Sequence, residues 1–108
     1  MHGGHGNYII GDWNAIKGSK NGVLGHYNDI WGDSNGVIGS VNLIDGSYNG
    51  VIGSFNKIRG SANGAFGHGN TILGSANLLH GSGNFVNGHL NGIKGDCNKV
   101  VGTGNKVW

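Results

Sequence analysis

Six histidines, five aspartates, one cysteine and scattered serines are the residues of this 108-residue chain that could do chemistry. Their spacing argues against it. His26 and His68 occupy equivalent positions of a repeat described below. That repeat puts them three coils apart, roughly 14 Å, too far to share an ion. His2 and His5 stand close enough in sequence for weak metal binding, set against the simpler reading of a solvated tail. His80 and His89 are isolated. Ser, His and Asp alternate at one position after glycine, which makes them alternatives at a turn and not partners in a triad. Asp does not recur in register, so a calcium-binding Gly/Asp repeat is not supported. Gly-x-Gly matches are by-products of the repeat and carry no phosphate chemistry. Cys97 has no adjacent base and reads as an unreactive small residue. As the lone cysteine it excludes an internal disulfide framework. No Asn-x-Ser/Thr sequon exists. The expectation is a non-enzymatic protein without metal or cofactor.

Composition narrows the partners. The net charge of +2 is too small for an electrostatic footprint on nucleic acid or an anionic membrane. No apolar run approaches the ~18 residues of a spanning helix. Residues 1–6 lack a charged region followed by an apolar stretch, so no signal peptide is visible. A trimmed secreted chain has the same appearance, and an extracellular location is compatible. Glycine supplies 25 residues, yet 36% of the chain is apolar, which argues against disorder.

What must position these residues is a repeat of seven. Gly recurs every seven residues from Gly4 to Gly102, and Asn from Asn7 to Asn105, without a miss. Two residues after each Asn comes an aliphatic residue, such as Ile16, Val23, Ile30, Val37 and Ile44. The unit is Asn-x-(Ile/Val)-x-Gly-(Ser/His/Asp)-x, and residues 1–108 read as one domain. A coiled coil fails, because each heptad carries a helix-breaking Gly and only one reliable apolar position. A short strand followed by a corner fits better. Side chains alternate along Asn-x-Ile-x, so Asn and Ile share the buried face. Gly supplies the tight corner, and Asn both tolerates left-handed backbone and bonds sideways.

A period of fourteen lies on top. Gly follows Asn at 22, 36, 50, 64 and 92, in alternate heptads only. Two strands per coil, one on each face, give an all-β, flattened two-sheeted β-solenoid (a β-roll). It has 14 residues per coil, seven to eight coils, and a length of roughly 35 Å at ~4.8 Å per coil. Equivalent asparagines then stack into a ladder of amides along the axis: Asn21, Asn35, Asn49, Asn63 and Asn77. The competing fold is an antiparallel meander built on the Asn-Gly hairpin signals.

The run Asn35-Gly36-Val37-Ile38-Gly39-Ser40, echoed at Asn21–Gly25, Asn49–Ser54 and Asn56–Ser61, resembles the grass ice-binding (ryegrass-type antifreeze) proteins. The resemblance covers essentially the whole chain. It implies a left-handed β-roll with about two motifs per coil, a valine core and internal asparagine ladders. It further implies ice binding by a flat strand face bearing regular small hydroxyls, chiefly Thr. This chain has only Thr71 and Thr103, so no ice-face residues carry over from the family.

The outward rows suggest another use. Face A, the strands after Asn7, Asn21, Asn35, Asn49 and Asn63, shows Tyr8 and then glycines in one row. Ile10, Leu24, Ile38, Ile52 and Phe66 form the next. The following corner adds Trp13, Tyr27, Val41 and Phe55. Face B mixes charges of both signs with a few apolar residues. Two apolar rows over five coils exceed the patch expected of a monomer. The leading expectation is a structural protein that self-associates as a homo-oligomer or filament. Its face comprises Ile10, Trp13, Leu24, Tyr27, Gly36, Ile38, Gly50, Ile52, Phe55 and Phe66, with Gly36 and Gly50 as the groove. The repeat still runs at Trp108 without a visible cap, which favours head-to-tail stacking through open strand edges. The alternative partner is an ice surface. A module stacking its aromatic edge on glycans comes third, for want of regular polar partners.

Overall fold

The structure, a computed structural model, describes residues 2–3 and 6–107. Sixteen short strands alternate between two sheets. Face B holds β1 (His2–Gly3), β3 (Ala15–Lys17), β5 (Asp29–Trp31), β7 (Leu43–Asp45), β9 (Lys57–Arg59), β11 (Thr71–Ser75), β13 (Phe85–His89) and β15 (Lys99–Thr103). Face A holds β2 (Tyr8–Ile10), β4 (Gly22–Leu24), β6 (Gly36–Ile38), β8 (Gly50–Ile52), β10 (Gly64–Phe66), β12 (Leu78–His80), β14 (Gly92–Lys94) and β16 (Lys106–Val107). Every pairing among these strands is parallel and joins residues fourteen apart, as in Gly36↔Gly50, Val37↔Val51 and Ile38↔Ile52. The antiparallel meander is thereby excluded. The Asn-Gly pairs open strands instead of closing hairpins. The rod measures 36 × 19 × 12 Å.

The backbone ladder does not stop at the corners. Gly39 N–H donates to the Leu24 carbonyl at 2.8 Å, and Val41 N–H to the His26 carbonyl at 3.0 Å. One inserted residue would break this continuity on both neighbours, which accounts for the unbroken heptad. Corner glycine has a second cause. Gly39 sits at φ 134°, and a Cβ there would lie 1.7 Å from the Gly53 carbonyl oxygen of the next coil. No side chain fits.

The left-handed position is not where the sequence suggests. It falls on the residue before each Asn: Trp13, Tyr27, Val41 and Phe55 adopt φ of 64°, 58°, 57° and 61°. The Asn itself stays out of that region, because its side chain must point inward to reach its partners. Eleven non-glycine residues take up this conformation among those described. Each costs roughly 1–2 kcal/mol relative to right-handed backbone.

The core is one side chain wide. Each strand follows an outward–inward–outward order, as in Gly36, Val37, Ile38. Face A supplies mainly the smaller residues, Val23, Val37, Val51 and Ala65, and face B the larger Ile16, Ile30, Ile44, Ile58 and Ile72. Where the face A residue grows to Leu79, the following face B residue shrinks to Val86. The summed volume stays near constant, as close packing requires.

Two asparagine ladders flank this core. Asn35 shows the pattern. Its Oδ1 accepts the backbone N–H of Asn49 at 3.0 Å and its Nδ2 at 3.1 Å. Its own Nδ2 donates to Asn21 Oδ1 at 3.1 Å and to the Gly46 carbonyl at 2.9 Å. The asparagines at 21, 35, 49, 63 and 77 form one such column, and Asn14, Asn28, Asn42, Asn56, Asn70 and Asn84 a second at the opposite edge. No buried side-chain nitrogen or oxygen lacks a partner among the described residues.

Candidate functional site

Face A carries a hollow of about 340 Å³. Its floor is the glycine row Gly22, Gly36 and Gly50, backed by Val23, Val37 and Val51. Leu24, Ile38, Ile52 and Phe66 stand along one side, and Tyr8 closes the first coil. A Cβ added at any of the three glycines would meet nothing within 4 Å. The trough is therefore open by residue choice and not by packing necessity. Trough and ridge lie two residues apart on each strand, about 6–7 Å, and repeat every ~4.8 Å along the rod. The 2.8 Å backbone hydrogen bonds fix that repeat. The ridge is half-exposed, with Ile38 at 48% and Ile52 at 42%.

The ten residues expected to form one face separate into two groups. Leu24, Gly36, Ile38, Gly50, Ile52 and Phe66 line the hollow. Ile10, Trp13, Tyr27 and Phe55 do not. Ile10 belongs to the same strand row but lies past the hollow's end. The three aromatics sit on the corner, where Trp13 and Tyr27 stack at 6.2 Å with rings 6° apart. Tyr8 and Gly22 complete the trough. Both belong to the same row as Gly36 and Gly50 in the sequence, although the expected face did not include them.

Face B offsets part of its charge. Arg59 lies 3.9 Å from the Asp45 carboxylate. Lys17 Nζ sits 4.6 Å above the Trp31 ring, whose Nε1 donates to Asp29 Oδ1 at 3.0 Å. Thr71 opens β11 and Thr103 ends β15, so the two make no regular hydroxyl row.

The His and Asp residues after the corner glycines have a structural task. His26 Nδ1 accepts the backbone N–H of Asp12 at 3.0 Å, and His68 Nδ1 that of Ser54 at 3.1 Å. His89 accepts likewise from Ser75, Asp33 from Ser19 and Asp96 from Ser82. Each satisfies a corner amide one coil back. Among the described residues no cluster of three His, Cys, Asp or Glu is placed to hold an ion. The pair His2 and His5 lies outside the residues whose side chains are described. Cys97 is exposed on its corner in left-handed backbone, φ 57°.

Compared with curated proteins, the chain matches none. Compared with protein families, the model of the grass antifreeze beta roll matches residues 1–88. That span contains the whole trough and the twelve described corner glycines from 11 to 88. The chain belongs to the grass antifreeze beta roll family.

Proposed function

We propose that the chain is a non-enzymatic ice-binding protein and that face A is the surface that meets ice. The observation that carries this is the trough: an apolar row in strict fourteen-residue register in a member of an antifreeze family. Water against apolar groups loses orientational freedom. A glycine floor has no side chain to move, and the ridge beside it repeats with the coils. Water held there is already arrayed in a periodic row, so little ordering cost remains when it joins a lattice. On this face the repeating groups are the side chains of Leu24, Ile38 and Ile52, with no regular hydroxyl row. The family match supports ice binding better than self-association.

A second copy remains the second reading, because ridge and trough complement each other. A two-fold axis running along the rod between the rows would seat each ridge over its partner's trough. Pairing on this face and binding to ice would compete for the same residues, and dilution favours the free face by mass action.

The test is ice-recrystallisation inhibition by dilute protein, for the wild type and for Ile38→Lys combined with Ile52→Lys. The wild type inhibits, and the double variant loses most of the activity with its circular dichroism unchanged. Sedimentation of both at high concentration reads the second reading: pairing by the wild type and not by the variant supports it. A wild type that leaves ice growth unaltered overturns the proposal.

A further inference from the structure

The trough's two ends are built differently. At the first coil Tyr8 closes it. At the other end the glycine row continues in the backbone through Gly64, yet the hollow includes neither Gly64 nor Leu78. A Cβ placed on Gly64 would lie 3.1 Å from Cδ1 of Leu78. The Leu78 side chain thus leans back over the Gly64 floor. One coil beyond Leu78, Gly92 is again open, with nothing within 4 Å of an added Cβ. The row is interrupted at Leu78, not exhausted there. Leu78 is 59% exposed, whereas the next residue, Leu79, is fully buried in the core. Leu78 itself is no part of that core.

We propose that Leu78 is the stop that sets the length of the ice-binding trough. This rests on face A being the ice-binding surface. A row of water held in a trough is continuous only where the floor is open, and Leu78 fills the floor over Gly64. The row is confined to Gly22, Gly36 and Gly50. Past the stop the ridge loses its apolar character, as His80 and Lys94 follow Phe66. His80 stacks on Phe66 at 6.0 Å, so the ridge keeps its line while changing its chemistry. The binding segment and a more polar segment share one sheet, and Leu78 marks the boundary between them.

The test is Leu78→Gly, measured as thermal hysteresis at equal molar concentration. The change uncovers Gly64, whose ridge neighbour Phe66 is apolar, and lengthens the apolar-flanked row from three glycines, 22, 36 and 50, to four. Apolar hydration scales roughly with area, so activity should rise by about a third. Leu78→Ala keeps the Cβ but removes the cover from Gly64, and gives a smaller rise in the same direction. Gly50→Leu is the converse: it plants the same stop two coils earlier and lowers activity. Should Leu78→Gly fail to fold, the other two variants decide. An active wild type whose Leu78 variants are no more active, with Gly50→Leu undiminished, overturns the stop and leaves the ice-binding reading standing. An inactive wild type with inactive variants overturns both.

Discussion

Truncating one rung of an asparagine ladder should unbalance the rod far more than its size suggests. In Asn49→Ala three hydrogen bonds disappear. The Asn49 Oδ1 accepts the backbone N–H of Asn63 at 3.0 Å. Its Nδ2 donates to Asn35 Oδ1 at 3.1 Å and to the Gly60 carbonyl at 3.0 Å. The residue is 2% exposed, so solvent does not replace these partners. Asn35 keeps the Asn49 backbone N–H at 3.0 Å and suffers little. The Asn63 N–H is left as a buried donor, and the Gly60 carbonyl loses that donor. A stranded buried group costs about 1–3 kcal/mol, and a carbonyl is the more forgiving of the two, so the loss should total about 2–5 kcal/mol. Asn87→Ala supplies the control, since Asn87 points outward and is exposed on β13. That change should stay within about 0.5 kcal/mol. Equilibrium urea unfolding followed by far-ultraviolet circular dichroism compares the two midpoints. Midpoints that coincide for Asn49→Ala and Asn87→Ala would refute the claim that the ladder holds the coils together.

Three further outcomes follow from the corners and the face. Gly53→Ala brings a Cβ 1.8 Å from the Gly67 carbonyl oxygen at φ 132°, and should cost more than about 4 kcal/mol or abolish folding. Gly36→Ala meets nothing within 4 Å and should melt at or above the wild-type temperature, so a matched pair of thermal melts checks both. Val41→Gly relieves a β-branched residue held at φ 57° and should stabilise by about 0.5–1 kcal/mol after the entropy of an added glycine is subtracted. A lowered urea midpoint would show that the Val41 side chain makes contacts worth more than its strain.

Much of this architecture was legible in the sequence because period and face are arithmetic. Gly every seven residues, with Asn three places later and an aliphatic two beyond that, fixes which side chains turn inward. The alternation of Gly22, Gly36 and Gly50 with Ala15, Asp29 and Leu43 fixes two faces. What rows do not fix is where a side chain leans or which backbone angle a corner needs. Nothing in the types of Trp13, Tyr27, Val41 and Phe55 announces left-handed backbone, and local propensity argues against it. The tertiary ladder imposes it, since Asn must face inward on the very next residue. The same limit explains the site. Ile10 shares a row with Ile38 but not its hollow, and Leu78 shares a row with Gly64 but covers it. The histidines also gain their role only from stacking. In one dimension a corner His reads only as an alternative to Ser or Asp at a turn, and it becomes a backbone acceptor once the amide one coil back stands 3.0 Å away.

Adsorption to ice tests the central claim most directly. A fluorescently labelled wild-type chain, the Ile38→Lys and Ile52→Lys double variant, and Leu43→Lys on face B would each be exposed to a growing ice hemisphere. The wild type and Leu43→Lys should concentrate on the ice, and the double variant should stay in the liquid. A wild type excluded from the ice, or a double variant that adsorbs as well as the wild type, would contradict the account.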